Sequence, residues 1–264
     1  MLCTCSPIEL NRKRKHRDIE MKELAWKPIL SNLREVLGEL DGIHLRLYFL
    51  AFGELPEDCP LSGDASYLAW LKKEEKRHPF NQVSLFYGLE HAYHHLNWAW
   101  NCRRTPEERV WHFTDNDASR WTRFPDTAAF ADLWPSDRTV KGHVDELHGK
   151  VGSPVRSFVQ MAYRKARILC YLVSKELGEE WERPQGLFPE VGAQPLTEKD
   201  FARRMHRIYV ELNMAWNSRR DKTFATDKRA IARRRFFPSI FATGCHNMWR
   251  SPLRRSRGSG RNMC

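Results

Sequence analysis

Apolar residues fall at positions 85, 89, 92, 93, 96 and 100, a spacing of three and four that gathers them on one face of an α-helix. The same spacing returns at 201, 205, 208, 209, 212 and 216. A capping residue, Asn81 or Thr197, stands before each stripe. An apolar residue lies just outside it (Phe80, Leu196) and another four positions inside (Leu85, Phe201). This pattern predicts a hydrophobic staple and the same starting point for both helices.

The two stripes belong to a longer correspondence. Residues 79–104 align without gaps on 195–220, and nine of the 26 positions are identical. Pro79, Tyr93, Leu96, Asn97, Ala99, Trp100, Asn101, Arg103 and Arg104 recur as Pro195, Tyr209, Leu212, Asn213, Ala215, Trp216, Asn217, Arg219 and Arg220. Proline and tryptophan rarely match by chance, so the chain reads as an internal duplication. Past the Arg-Arg pair the offset falls from 116 to 112 at Thr114-Asp115 and to 113 at Phe124-Pro125. Thr114-Asp115 and Thr226-Asp227 then predict the caps of a second, shorter helix ending near Phe124-Pro125 and Phe237-Pro238. Upstream, the run Arg46 to Leu50 corresponds more loosely to Arg167 to Tyr171.

The expected fold is therefore all-α, with two tandem duplicated helical units packed pseudo-symmetrically. Each unit is a long helix, a loop (Gly53 to Gly63; Gly178 to Pro195), the motif helix and a short helix. The boundaries read as a basic N-terminal extension over 1–20, unit one over 21–134, a linker over 135–154, unit two over 155–250 and a tail over 251–264. The linker holds a short helical pattern at Val140 to Leu147. One stretch is ambiguous: Ile43, Leu45, Leu47 and Phe49 alternate after Asp41-Gly42, which permits a strand over Leu40 to Leu50. The repeat favours helix, because Val155 to Leu177 has a helical pattern.

Charge divides the chain. Of the net +11, the residues from Lys199 to Cys264 carry 17 lysines and arginines against four acids, so the first 198 residues are close to neutral. The tail beyond Ser251 is Arg, Ser and Gly with little to bury, and is expected to be disordered. No run approaches the roughly 20 apolar residues of a membrane helix, and Met1 to Arg17 lacks the pattern of a secretion signal. The seven cysteines are scattered without a Cys-x-x-Cys spacing, which fits a reducing compartment. An intracellular, cytoplasmic location without membrane contact is the expectation.

Three groups of residues are candidates for chemistry. Asn97, Asn101 and Arg104 form a polar stripe beside Trp100, and Asn213, Asn217 and Arg220 form another beside Trp216. Such stripes suit either a site for a protein or anionic ligand or a packing joint between helices. Within the Glu90 to His95 cluster, His91 and His95 lie one turn apart, as two metal ligands from one helix would, with His112, Asp115 or Asp117 as a third. Arg233, Arg234 and Arg235, followed by Arg254, Arg255 and Arg257, offer a basic field for phosphate backbones. No phosphate loop, nucleophile elbow or dinucleotide fingerprint occurs. The expected function is a non-enzymatic helical binding or scaffold module with no cofactor. The alternatives are non-sequence-specific nucleic-acid binding and a metal-dependent enzyme built on the histidine cluster.

Overall fold

The computed structural model describes residues 24–57, 59, 63–125, 127–133, 149–184, 187, 191–224 and 227–236. Among these the regular elements are helices and there is no strand: α1 Trp26–Phe52, α2 Ala65–Arg77, α3 Gln82–Asn101, α4 Glu107–Trp111, α5 Asp115–Trp121, a 3₁₀ turn Ala128–Leu133, α6 Pro154–Glu176, α7 Glu198–Asn217 and α8 Lys228–Arg234. No described helix is long and apolar enough to cross a membrane.

The motif helices start where the capping pattern places them. Asn81 Oδ1 accepts from the N–H groups of Val83 and Ser84, and Thr197 Oγ1 accepts from that of Asp200. Thr114 and Asp117 form a reciprocal capping box at the start of α5. Ahead of both motif helices a glutamate carboxylate takes the N–H of the residue before the cap. Glu75 takes that of Phe80, and Glu176 that of Leu196.

Two long helices and two motif helices make the core. α1 packs on α3 and on α6, while α7 packs on α6 and on α3, so the four close a ring. One continuous apolar cluster runs through it. Leu33, Val36 and Leu40 come from α1, Leu89, Tyr93 and Leu96 from α3, Val159, Ala166 and Leu169 from α6, and Met205, Tyr209 and Leu212 from α7. Phe124, Phe130 and Leu133 join the cluster, with Phe124 and Phe130 packed edge-on against Tyr209.

The strand alternative over Leu40 to Leu50 is overturned, since α1 runs unbroken to Phe52 and ends on Gly53 in the left-handed conformation (φ 75°). The alternation has a physical origin. Ile43 and Leu47 face the main core, while Leu45 and Phe49 face a second small cluster with Leu55, Cys59 and Leu71. A helix buried on two sides mimics period two. Leu71 belongs to α2, a helix capped by Asp64 that the repeat pattern does not anticipate.

Residues 1–23, 134–148 and 237–264 lie outside the described residues, and with them the N-terminal extension, the Val140 to Leu147 pattern, Phe237-Pro238 and the tail with Arg254, Arg255 and Arg257. Thr226 does too; Asp227 Oδ1 takes the Arg229 N–H at the start of α8. The end of the expected linker is fixed in place: Gly149 C=O accepts from the Gln82 N–H, and Gly152 N–H donates to Arg219 C=O.

Candidate functional site

The polar stripes of α3 and α7 meet at the centre of the molecule. Tyr93 and Tyr209 stack with ring centroids 6.1 Å apart. Each hydroxyl crosses to the first asparagine of the other motif helix: Tyr93 Oη donates to Asn213 Oδ1 at 2.6 Å, and Tyr209 Oη donates to Asn97 Oδ1 at 2.7 Å. Burial of both rings pushes the Tyr93 hydroxyl well above its ordinary range, a rise that Tyr209 reinforces, so it stays a donor.

The carboxamide N–H groups are committed as well. Asn97 Nδ2 donates to Thr122 C=O, and Asn213 Nδ2 to Arg235 C=O. Asn101 Nδ2 bridges the carbonyls of Trp121 and Arg123, and Asn217 Nδ2 those of Arg234 and Phe236. The acceptors are offset by 113 residues where the donors are offset by 116, the same shift that the sequence shows at Phe124-Pro125. Each stripe ties the segment after the motif helix to that helix, and its first asparagine ties the helix to the other motif helix.

The tryptophans and arginines finish the joint. Trp100 stacks on Phe201 and carries the Arg103 guanidinium 3.8 Å above its ring, while Trp216 tilts against Phe86 and carries Arg219 at 4.1 Å. Arg103 and Arg219 each also donate to the carbonyl of their own tryptophan. The carbonyls of the two arginines receive the chain entering the long helices, from Ala25 N–H (2.8 Å) and Gly152 N–H (2.7 Å) respectively. Arg104 pairs with Glu198 on the first turn of α7. Burial pushes the Glu198 carboxyl up, but the bonds from Arg104 and Arg103 outweigh it and hold the group below its ordinary range. Arg220 is exposed at the end of α7.

Of the eight stripe residues, Asn101 and Arg104 line a small hollow of about 240 Å³ with Arg109, Asp117 and Arg120. Its groups are largely spent on one another or on neighbours: Arg109 pairs with Asp117 at 2.9 Å, and Asp117 also serves the α5 capping box.

Comparison of the chain with protein-family models, with curated proteins and with solved structures finds no match.

The histidine cluster divides between faces of α3. His91 Nδ1 lies 3.1 Å from Glu39 Oε1, and His95 Nδ1 lies 3.1 Å from Asn32 Oδ1, both on α1. Asn32 gives its own Nδ2 to Pro28 C=O, so its oxygen faces His95. His94 packs on Trp98, and burial, with His95 and His91 nearby, lowers its pKa to about 3. Glu90 is 2% exposed with no hydrogen-bond partner among the described residues, and burial raises its carboxyl above the ordinary range. Among the described residues no three His, Cys, Asp or Glu side chains converge as a metal would require. The partners Glu39 and Asn32 had no signal in the motif, because helical spacing reports neighbours on one helix only.

In the basic region, Arg234 pairs with Asp221 at 2.7 Å, and the carbonyls of Arg234 and Arg235 hold Asn217 and Asn213. Arg233 is exposed, with Lys228 and Arg229 on the same short helix. Cys102 and Cys170 are buried free thiols pushed up to about 12 by that burial, which makes them inert.

Proposed function

We propose that the chain is a non-enzymatic helical binding or scaffold module, in which α3 and α7 form the central joint and the surfaces around it meet the partner. The observation that carries this reading is the reciprocal pair of Tyr–Asn bonds. All four asparagines give their N–H groups to main-chain carbonyls, and the first of each pair also accepts a tyrosine hydroxyl from the other unit. Side chains satisfied in this way hold a geometry and have little capacity left for a substrate. The two units are proposed to descend from one, which accounts for the matched contacts.

A double-mutant cycle tests the joint. Tyr93→Phe and Asn213→Ala are expected to couple by about 1 kcal/mol in urea unfolding, and Tyr209→Phe with Asn97→Ala by the same amount. Additive effects in both cycles would remove the joint from the explanation.

Nucleic-acid contact is the second reading, and Lys228, Arg229 and Arg233 support it as exposed cations without an ion pair among the described residues. It expects affinity for a generic duplex to fall steeply with salt and to drop when all three become glutamine. Salt-independent binding contradicts it. A reducing, cytoplasmic setting is proposed from the unpaired thiols of Cys59, Cys102 and Cys170; finding any of them in a disulfide in the native protein would count against it.

A further inference from the structure

One cavity of about 620 Å³ lies away from the joint, where the C-terminal half of α1, the turn between α2 and α3, and residues 149–156 come together. That volume is in the range of small-molecule sites, roughly 300 to 1,000 Å³. Leu47, Leu50, Ala51, Phe80 and Val151 make its surface mainly apolar, and Leu50 is half-exposed at 48%. A solvent-facing apolar surface of this kind is costly unless something covers it.

The polar groups on its wall are unequal. Glu75 is fully engaged, accepting from Arg46 Nη2 at 2.8 Å and from the Phe80 N–H. The cap at Asn81 is likewise closed by its own helix. Lys150 and Arg156 differ: both line the cavity, and neither has a carboxylate partner among the described residues. Arg156 lies 4.3 Å over the Phe52 ring, which holds the guanidinium near the mouth without neutralising it. The Lys150 main chain is held by Gln82 Nε2, which fixes where the lysine leaves the backbone. The net character is an apolar hollow with two uncompensated positive charges beside it.

We propose that this cavity binds an alkyl carboxylate, its chain lying on Leu47, Phe80 and Val151 and its carboxylate meeting Lys150 and Arg156. The apolar wall accounts for the chain, and the pair of cations for the charge. The proposal rests on the binding-module reading and gives it a ligand class.

Isothermal titration of the full chain with dodecanoate below its micellar concentration is the test, with dodecanol, acetate and dodecyl phosphate as comparison ligands. Dodecanoate is expected to bind at one site, with dodecanol and acetate weaker by roughly tenfold or more, because each lacks one half of the recognition. Lys150→Gln with Arg156→Gln is expected to weaken dodecanoate by a similar factor. Ala51→Trp, which fills the hollow, is expected to abolish binding. Leu50→Asp sets a like charge at the mouth from an exposed position, and so provides a second variant should Ala51→Trp fail to fold. No binding to the folded wild type, undiminished binding in the variants, or a preference for dodecyl phosphate overturns the proposal. None of these outcomes bears on the Tyr–Asn coupling, so the joint and the ligand stand or fall separately.

Discussion

The two motif helices use the same residues toward each other and different ones toward their own long helices. On the face where α3 meets α7, tyrosine bonds asparagine in both directions and the following segment is held by the same two carboxamides. On the other side, His91 and His95 reach Glu39 and Asn32 of α1, whereas the matched Glu211 of α7 pairs with Lys165 of α6. The difference has a physical cause. A Tyr–Asn bond that must work in both directions constrains four side chains at once, while a helix and its own partner can exchange one polar pair for another without disturbing the joint.

The points where the chain enters the long helices break the match most sharply. Ala25 and Gly152 both donate to an arginine carbonyl of the motif. Only Gly152 is crowded: a Cβ there would lie 2.0 Å from the Asp221 carbonyl oxygen, which is main chain and cannot rotate away. Gly152→Ala is therefore expected to cost at least about 3 kcal/mol, the upper range for overpacking, with Ala25→Gly far milder. Denaturant midpoints check this, and equal effects at the two positions would erase the distinction.

The joint predicts equality where the chain entries predict difference. Asn97→Ala and Asn213→Ala each leave a buried tyrosine hydroxyl and a main-chain carbonyl without a partner, so each is expected to lose about 2 to 3 kcal/mol. Costs that differ severalfold between the two would show that the halves of the joint are not equivalent in energy.

His94 separates the two motif helices by pH. Its pKa is lowered to about 3 in the folded protein, below the unfolded value near 6.5, so the unfolded chain takes up a proton first as the solution is acidified. Its contribution is fully present above about pH 6.5 and is lost as the pH falls toward 3. By about pH 5 the loss reaches about 2 kcal/mol. His94→Val, the residue at the matched position in α7, is expected to flatten this acid limb in thermal melts taken across the range. An unchanged limb would place the pH dependence elsewhere.

Sequence legibility followed how local the determinant was. The motif helices, their caps and the cap of α5 rest on residues within one turn of each other, and pattern alone locates them; the reciprocal bond from Asp117 shows only in the structure. The path of α1 was ambiguous because Leu45 and Phe49 serve a second cluster whose other half, Leu71, sits on a helix outside the repeat. The 620 Å³ cavity left no trace in the pattern. It is assembled from three separated regions of the chain, and Lys150 and Arg156 become notable only once Glu75 is seen to be occupied by Arg46. The Asn-Arg stripes were visible as residues, yet the choice between joint and site depended on what faced them, which spacing within one helix does not specify.

The smallest expected effect concerns the matched pair Glu90 and His206. His206 Nε2 meets Asp132 at 2.8 Å and its ring stacks on Phe130, so its polar edge is answered. Glu90 is buried at the same position of α3 with nothing to accept from among the described residues, and burial raises its carboxyl above the ordinary range, partly offset by His91. For a carboxyl shifted upward, the folded state is penalised once the pH passes the unfolded value, near 4.3, and the penalty levels off above the folded one. Glu90→Gln removes the charge while keeping the shape. It should therefore raise the melting temperature slightly at about pH 7 and leave it unchanged at about pH 3, where both states carry the proton. A lower melting temperature at neutral pH would mean that the carboxylate is stabilised in the native protein, and the difference from His206 would then lie in the partner's identity, with both positions answered.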